Sequence, residues 1–210
     1  LFPELAVTGY TCADLFHNSA LLEAAERGVA ELAAAFAGLG TQIIVFGAPV
    51  CFRGRLFNAA VFVQNGRILG VVPKINLPNY REFYEKRYFS SGRGIRNESF
   101  RFAGFDNVPF GVDLIFDVSA ELRIGSEICE DMWTTIPPSS QLALNGATLL
   151  VNLSASNELV GKSEYRRELV RGQSARCVAA YAYVSAGVHE STTDIVCGGH
   201  AVIAENGSVL

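Results

Sequence analysis

Eight apolar runs of strand length punctuate the chain, at 42–50, 59–64, 68–72, 112–118, 122–128, 147–153, 182–188 and 201–204. Runs this short, rich in Val, Ile and Phe and bounded by turn residues, read as buried or half-buried strands. Asn65-Gly66 separates two of them, and both residues tolerate positive φ, so a two-residue hairpin is predicted there. Asn206-Gly207 repeats the signal. Two stretches carry helical periodicity instead. Over 15–36, Leu21, Leu22, Ala25, Val29, Leu32 and Phe36 fall near one face; over 162–180, Tyr165, Leu169, Gln173 and Cys177 recur in steps of four. Hairpins mixed with helical crossovers predict an α/β domain with mixed sheets rather than a simple doubly wound fold.

With 210 residues, 50% of them hydrophobic, the chain can bury the core of one domain. No run approaches the roughly 18 unbroken apolar residues that cross a bilayer, and Leu1-Phe2-Pro3-Glu4 carries neither the basic region nor the apolar stretch of a secretory signal. A net charge of -4 spread along the chain argues against a nucleic-acid or membrane surface. The five cysteines are odd in number and lack framework spacing, which favours reduced thiols in the cytoplasm over disulfides. Both ends read as cut: residues 2–4 as the exit from a strand, and 208–210 as the start of another. The expectation is most of a domain from a longer protein.

The chemistry concentrates in three segments. In 125–133, Cys129 stands where an apolar strand gives way to the acidic pair Glu130-Asp131, which predicts a polar, solvent-reaching strand end. Phe2-Pro3-Glu4-Leu5 brings a carboxylate and Val71-Val72-Pro73-Lys74 an ammonium, each at a strand edge. Thiol, carboxylate and ammonium together can make a covalent amide-cleaving site. Each also has a plain reading: Cys129 as a buried hydrophobe, Glu4 as a turn residue, Lys74 as a solvated strand end. A Cys-His site would have to draw on His17, His189 or His200, none tied locally to Cys129. Cys197-Gly198-Gly199-His200 is half a metal site without a second half. The charged run 81–88, interleaved with aromatics, reads as a surface helix face packed on one side. Residues alone stop at an α/β domain with a possible cysteine enzyme site.

Taken together, these segments resemble the nitrilase, or carbon-nitrogen hydrolase, superfamily, which uses a Glu-Lys-Cys set in this chain order. Residues 2–10 resemble its glutamate motif, 72–78 its lysine motif, and Ile128-Cys129-Glu130-Asp131 its nucleophile motif. Within it, residues 74–89, Cys129-Glu130-Asp131-Met132-Trp133 with Pro137-Pro138-Ser139, the segment 152–157 and the tail Glu190-Ser191-Thr192-Thr193-Asp194 are similar to the glutaminase domain of glutamine-dependent NAD synthetases.

That resemblance implies a four-layer α-β-β-α sandwich over 1–210. It implies Cys129 as nucleophile, Glu4 as general base, Lys74 and the backbone N–H of Glu130 as oxyanion donors, and Glu85 as the carboxylate that orients the lysine. It puts Tyr80, Trp133, Ser156 and Lys162 against substrate, with Tyr10 at the border of the site or the ammonia exit. It implies glutamine as substrate and no cofactor or metal in this domain. ATP and magnesium belong to a synthetase domain of the same protein, which would take the ammonia. No Ser-Gly-Gly-x-Asp-Ser loop for that half occurs in these residues. A large homo-oligomer follows from the resemblance too. The competing readings are a stand-alone amidase acting on another small amide, and a domain kept for assembly with a dead site.

Overall fold

The computed structural model describes all 210 residues, 1–210. The strands β1 (Ile43–Phe52), β2 (Arg55–Gln64), β3 (Arg67–Pro73), β4 (Glu98–Phe102) and β5 (Phe105–Phe110) form one sheet in the order β1-β2-β3-β5-β4. Its β3–β5 pair is parallel and the rest antiparallel. A second sheet holds β6 (Ile115–Asp117), β7 (Arg123–Ile128), β8 (Leu149–Ser154), β9 (Ala180–Ser185), β10 (Ala201–Glu205) and β11 (Ser208–Val209), in the order β11-β10-β9-β8-β7-β6. There β7, β8 and β9 run parallel, and the outer pairs are antiparallel. Both sheets are mixed, as the pattern of hairpins and crossovers predicts.

The period of two along each strand explains the layering. Alternate residues of the first sheet, Phe46, Ala48, Val61 and Val71, pack on Val29 and Ala33 of helix α1 (Ser19–Ala35). Their neighbours Val45, Ala60, Phe62 and Val72 turn the other way, onto Ile124, Ile128, Val151 and Leu153 of the second sheet. On that sheet's far side, Leu150, Tyr181 and Val202 meet Leu142 of α2 (Pro138–Leu144) and Val170 of α3 (Lys162–Cys177). Strands buried on both faces must be apolar at nearly every position, which is why β2 reads as an unbroken run.

Asn65-Gly66 turns β2 into β3 with φ of 45° and 79°, and Asn206-Gly207 turns β10 into β11 with 48° and 84°. All four values lie in the left-handed region that these residues tolerate best.

Several boundaries differ from the sequence reading. The first helix starts at Ser19, because the Asn18 side chain accepts from the Ala20 N–H at 2.9 Å and closes off a stretch of 3₁₀ turns at Tyr10–His17. The run 112–118 narrows to β6. The hairpin β4–β5 and the seven-residue α2 were not among the predicted elements. The charged run 81–88 is not a surface helix: it is irregular, ending in a 3₁₀ turn at Glu85–Arg87, and Phe83 and Glu85 are buried. No helix is long and apolar enough to cross a membrane.

Candidate active site

Cys129 follows directly on β7 and opens a short 3₁₀ helix, Cys129–Trp133, with φ of 46°. A non-glycine residue held in the left-handed region marks a backbone fixed by its surroundings. Two of those surroundings are visible. The Cys129 N–H donates to Asn152 Oδ1 on β8 at 3.3 Å. Asp131, fully buried rather than solvent-reaching, accepts from the Ile128 N–H at 3.0 Å and so folds the turn back on itself. Here the sequence reading fails, because the acidic pair splits: Glu130 faces the cleft, while Asp131 holds the backbone.

Glu4 sits on a segment that straddles both sheets. The Phe2 N–H donates to Val45 O at 2.8 Å, and the Gly47 N–H to Pro3 O at 3.1 Å, while the Glu4 N–H reaches Ser154 O at 3.4 Å. This approach needs glycine at 47, since a Cβ there would lie 2.1 Å from the Leu5 nitrogen. Lys74 leaves the end of β3, and its N–H donates to Asn58 O at 2.8 Å. Glu85 comes from the irregular segment after it.

Their side chains meet in the interior. Lys74 Nζ lies 2.6 Å from Glu4 Oε1 and 2.7 Å from Glu85 Oε1, with all three groups buried. Asn58 Nδ2 also donates to Glu4 Oε1 at 2.6 Å, and the Ala155 N–H to Glu4 Oε2 at 2.8 Å. Tyr10 donates its phenol proton to Glu85 Oε1 at 2.8 Å. Two carboxylates thus share one ammonium, an arrangement with an excess of negative charge.

The titration behaviour follows from that excess. Burial opposes the charge on Lys74, but Glu4 and Glu85 outweigh it and hold the ammonium well above its ordinary range. Glu85 has one cation and a second carboxylate beside it, and burial pushes it up to about 7 against the pull of Lys74. Burial, with the Glu4 carboxylate adding to it, pushes the Cys129 thiol far up, and Lys74 offsets only part of this. This environment favours the thiol over the thiolate, so a nucleophilic role for Cys129 would require its proton to leave as the bond forms.

Cys129 lies at the edge of a cleft of about 390 Å³, also lined by Tyr80, Phe83, Glu130, Trp133, Ser156 and Lys162. Lys162 Nζ stands 5.1 Å from the Trp133 ring centre and 5.9 Å from that of Phe83. Burial lowers its pKa. Tyr80 donates to the Glu130 carboxylate at 3.0 Å. Tyr10 is not on this cleft; it lies on the other side of Glu85, in a separate cavity of about 120 Å³ with Phe16, Tyr88 and Ile195. No group of three or more His, Cys, Asp or Glu side chains converges to hold a metal ion.

Sequence reasoning missed the residues that build the cleft's wall. Arg166 on α3 is wholly buried and donates to Ser156 Oγ at 3.3 Å, to Asn157 O at 3.2 Å and to His200 Nδ1 at 3.0 Å. Asn157 links Lys162 to Glu82 through its side-chain amide. Asn58, Asp131 and Asn152 were missed too. Apart from the family resemblance, whose motifs take in Asp131 and Asn152 without giving them a role, their only signal is a polar residue beside an apolar run, too common to single out.

Comparison with known proteins gives the family and the fold. The carbon-nitrogen hydrolase family model matches residues 1–210. A glutamine-dependent NAD(+) synthetase of Mycobacterium tuberculosis is 46% identical over 212 residues, covering 100% of this chain and 31% of that protein. The crystal structure of such a synthetase from Cytophaga hutchinsonii superimposes with a TM-score of 0.86 at 32% identity, over 99% of this chain and 33% of that one. An amidase of Nesterenkonia sp. AN1 shares the fold, with a TM-score of 0.76 at 16% identity, over 100% of this chain and 71% of that one. The chain therefore spans about a third of the length of the synthetases it matches. The match of the family model over all of residues 1–210 shows that this chain, with its two mixed sheets, belongs to the carbon-nitrogen hydrolase family.

Proposed function

We propose that this chain hydrolyses the side-chain amide of glutamine through a Cys129 thioester and delivers the ammonia to a synthetase domain of the same protein. The observation that carries the reading is the buried Glu4–Lys74–Glu85 set, in which Lys74 Nζ lies 2.6 and 2.7 Å from the two carboxylates, together with a cleft lined by Cys129, Arg81 and Lys162. Cys129 Sγ attacks the amide carbon while its proton passes to Glu4. The oxyanion that forms is held by the Lys74 ammonium and the Glu130 N–H; losing one such donor costs on the order of 10²–10³ in rate. Glu4 then returns the proton to the leaving nitrogen, the C–N bond breaks and ammonia departs. Water, deprotonated by Glu4, attacks the thioester and frees glutamate and the thiol. Glu85 keeps Lys74 aimed, Lys162 balances the substrate's α-carboxylate as a point charge, and Tyr80, Trp133 and Ser156 shape the cleft around the rest.

In the whole protein, the synthetase domain would use ATP and magnesium to convert nicotinic acid adenine dinucleotide to NAD with this ammonia. We place the protein in the cytoplasm, as a homo-oligomer. The similarity to glutamine-dependent NAD(+) synthetases at 46% identity supports the substrate and the partner domain. The test is NAD formation by the protein that carries this chain, with glutamine or ammonium as nitrogen source. Cys129→Ala should abolish the first and spare the second. NAD from neither source would point instead to an amidase for another small amide.

A further inference from the structure

Glu190 lies far from Cys129 in sequence and touches none of the Glu-Lys-Cys set. It follows β9, in the loop before β10. Its carboxylate nonetheless takes three hydrogen bonds from one turn: the Tyr10 N–H at 2.8 Å, the Thr11 N–H at 3.1 Å and the Thr11 hydroxyl at 2.7 Å. The Ser191 N–H closes the contact from the other side by donating to Thr11 Oγ1 at 3.0 Å. The carboxylate is also packed against the turn before Tyr10, because a Cβ on Gly9, which has φ of 85°, would stand 3.4 Å from Glu190 Oε2. Charge-assisted bonds to two successive backbone N–H groups are among the stronger ways to fix a loop.

What that turn carries is the Tyr10 phenol, and the phenol donates to Glu85 Oε1, the same oxygen that accepts from Lys74. We propose that Glu190 is a positioning residue for catalysis: it staples the 9–11 turn so that Tyr10 fixes Glu85, and through Glu85 the Lys74 ammonium, beside Cys129. Glu85 Oε2 has no hydrogen-bond partner, so Oε1, with Tyr10 and Lys74 on it, alone determines how this buried carboxylate sits. Loosening the turn removes one of only two contacts that orient it. This role rests on the proposed amide hydrolysis only in its choice of substrate; the effect on Cys129 itself does not need glutamine.

The test is therefore read twice in the protein that carries this chain. One reading is the rate at which iodoacetamide alkylates Cys129, followed by mass spectrometry of its peptide. The other is kcat and KM for glutamine hydrolysis. Glu190→Ala should lower both the alkylation rate and kcat about tenfold while KM stays within about twofold. Glu190→Gln keeps an acceptor for the backbone and should recover most of the loss. In a Tyr10→Phe background, Glu190→Ala should add less than about twofold, because the phenol through which it acts is gone. The proposal is overturned if Glu190→Ala slows the Tyr10→Phe protein as much as the parent, or if neither rate changes in Glu190→Ala. Should glutamine prove not to be a substrate, the alkylation series still decides the role of Glu190.

Discussion

Asp131 and Asn76 tie the lysine segment to the nucleophile turn: one carboxylate oxygen, Asp131 Oδ1, accepts both from the Asn76 backbone N–H and from its side-chain amide, each at 2.8 Å. The other oxygen accepts from the Ile128 N–H. A single buried group therefore sets the spacing between Lys74, two residues before Asn76, and Cys129, two before Asp131.

Replacing Asp131 with Ala leaves the buried Ile128 N–H unpaired and takes the acceptor from two half-buried Asn76 donors. A buried unpaired group costs about 1–3 kcal/mol, so the variant should lose at least about that much stability by urea unfolding. Where it still folds, alkylation of Cys129 should slow. Wild-type stability with wild-type reactivity would show that the two segments hold their spacing without this link.

Arg166 predicts a different signature. Its guanidinium forks between Nη2, which donates to Ser156 Oγ and Asn157 O on the wall of the cleft, and Nη1, which donates to Glu158 and His200, and it lies among none of the groups that move protons. Arg166→Met should raise KM for glutamine about tenfold and change kcat much less. Arg166→Lys should not rescue it, since an ammonium cannot reproduce the planar fork. A fall in kcat at unchanged KM would place its effect in the chemistry instead.

Glu127 predicts a pH dependence of stability. It lies on β7, facing α2, where Tyr181 donates to Oε1 at 2.5 Å and the Ser139 N–H to Oε2 at 2.7 Å, with no cation in contact. Burial outweighs these hydrogen bonds and pushes its pKa from the ordinary 4.5 up to about 7. Below 4.5 both folded and unfolded chains are protonated there, and the group costs nothing. Between 4.5 and 7 the unfolded chain ionises first, so stability falls as pH rises, and above 7 the full penalty is present. It amounts to on the order of 3 kcal/mol. Glu127→Gln cannot ionise, so its stability relative to wild type should improve by that order between pH 4.5 and pH 7. Parallel unfolding curves across that window would rule the effect out. Glu85 titrates in the same range but is common to both proteins and cancels.

The sheets were legible because burial leaves a mark along the chain: β1, β2, β3, β7 and β8, largely covered on both faces, and β9 and β10, whose burial alternates, all overlap apolar runs. The hairpin β4–β5 left none, since Glu98, Asp106, Asn107 and Pro109 interrupt it and several of its side chains face outward. Helix α2 spans only seven residues, too few for periodicity to show. At the site, Glu4, Lys74 and Cys129 stood out by their place at strand ends. Glu85 did not; only the family resemblance picked it from a run of charges. Its segment failed as a helix because Glu85 turns inward to meet Lys74. Asp131, Arg166 and Glu190 act across the fold on partners 55, 10 and 180 residues away, and no local pattern encodes such pairings.

The segment that carries Glu4 is hydrogen-bonded to the first sheet through Val45 and Gly47 and to the second through Ser154. Neither half of the sandwich can hold Glu4, the proposed general base, without the other. During refolding, amide cleavage should consequently be among the last properties to return, lagging behind the circular dichroism of the strands. On the proposed mechanism the fold carries its own checkpoint: a partly assembled chain has a thiol but no base to activate it.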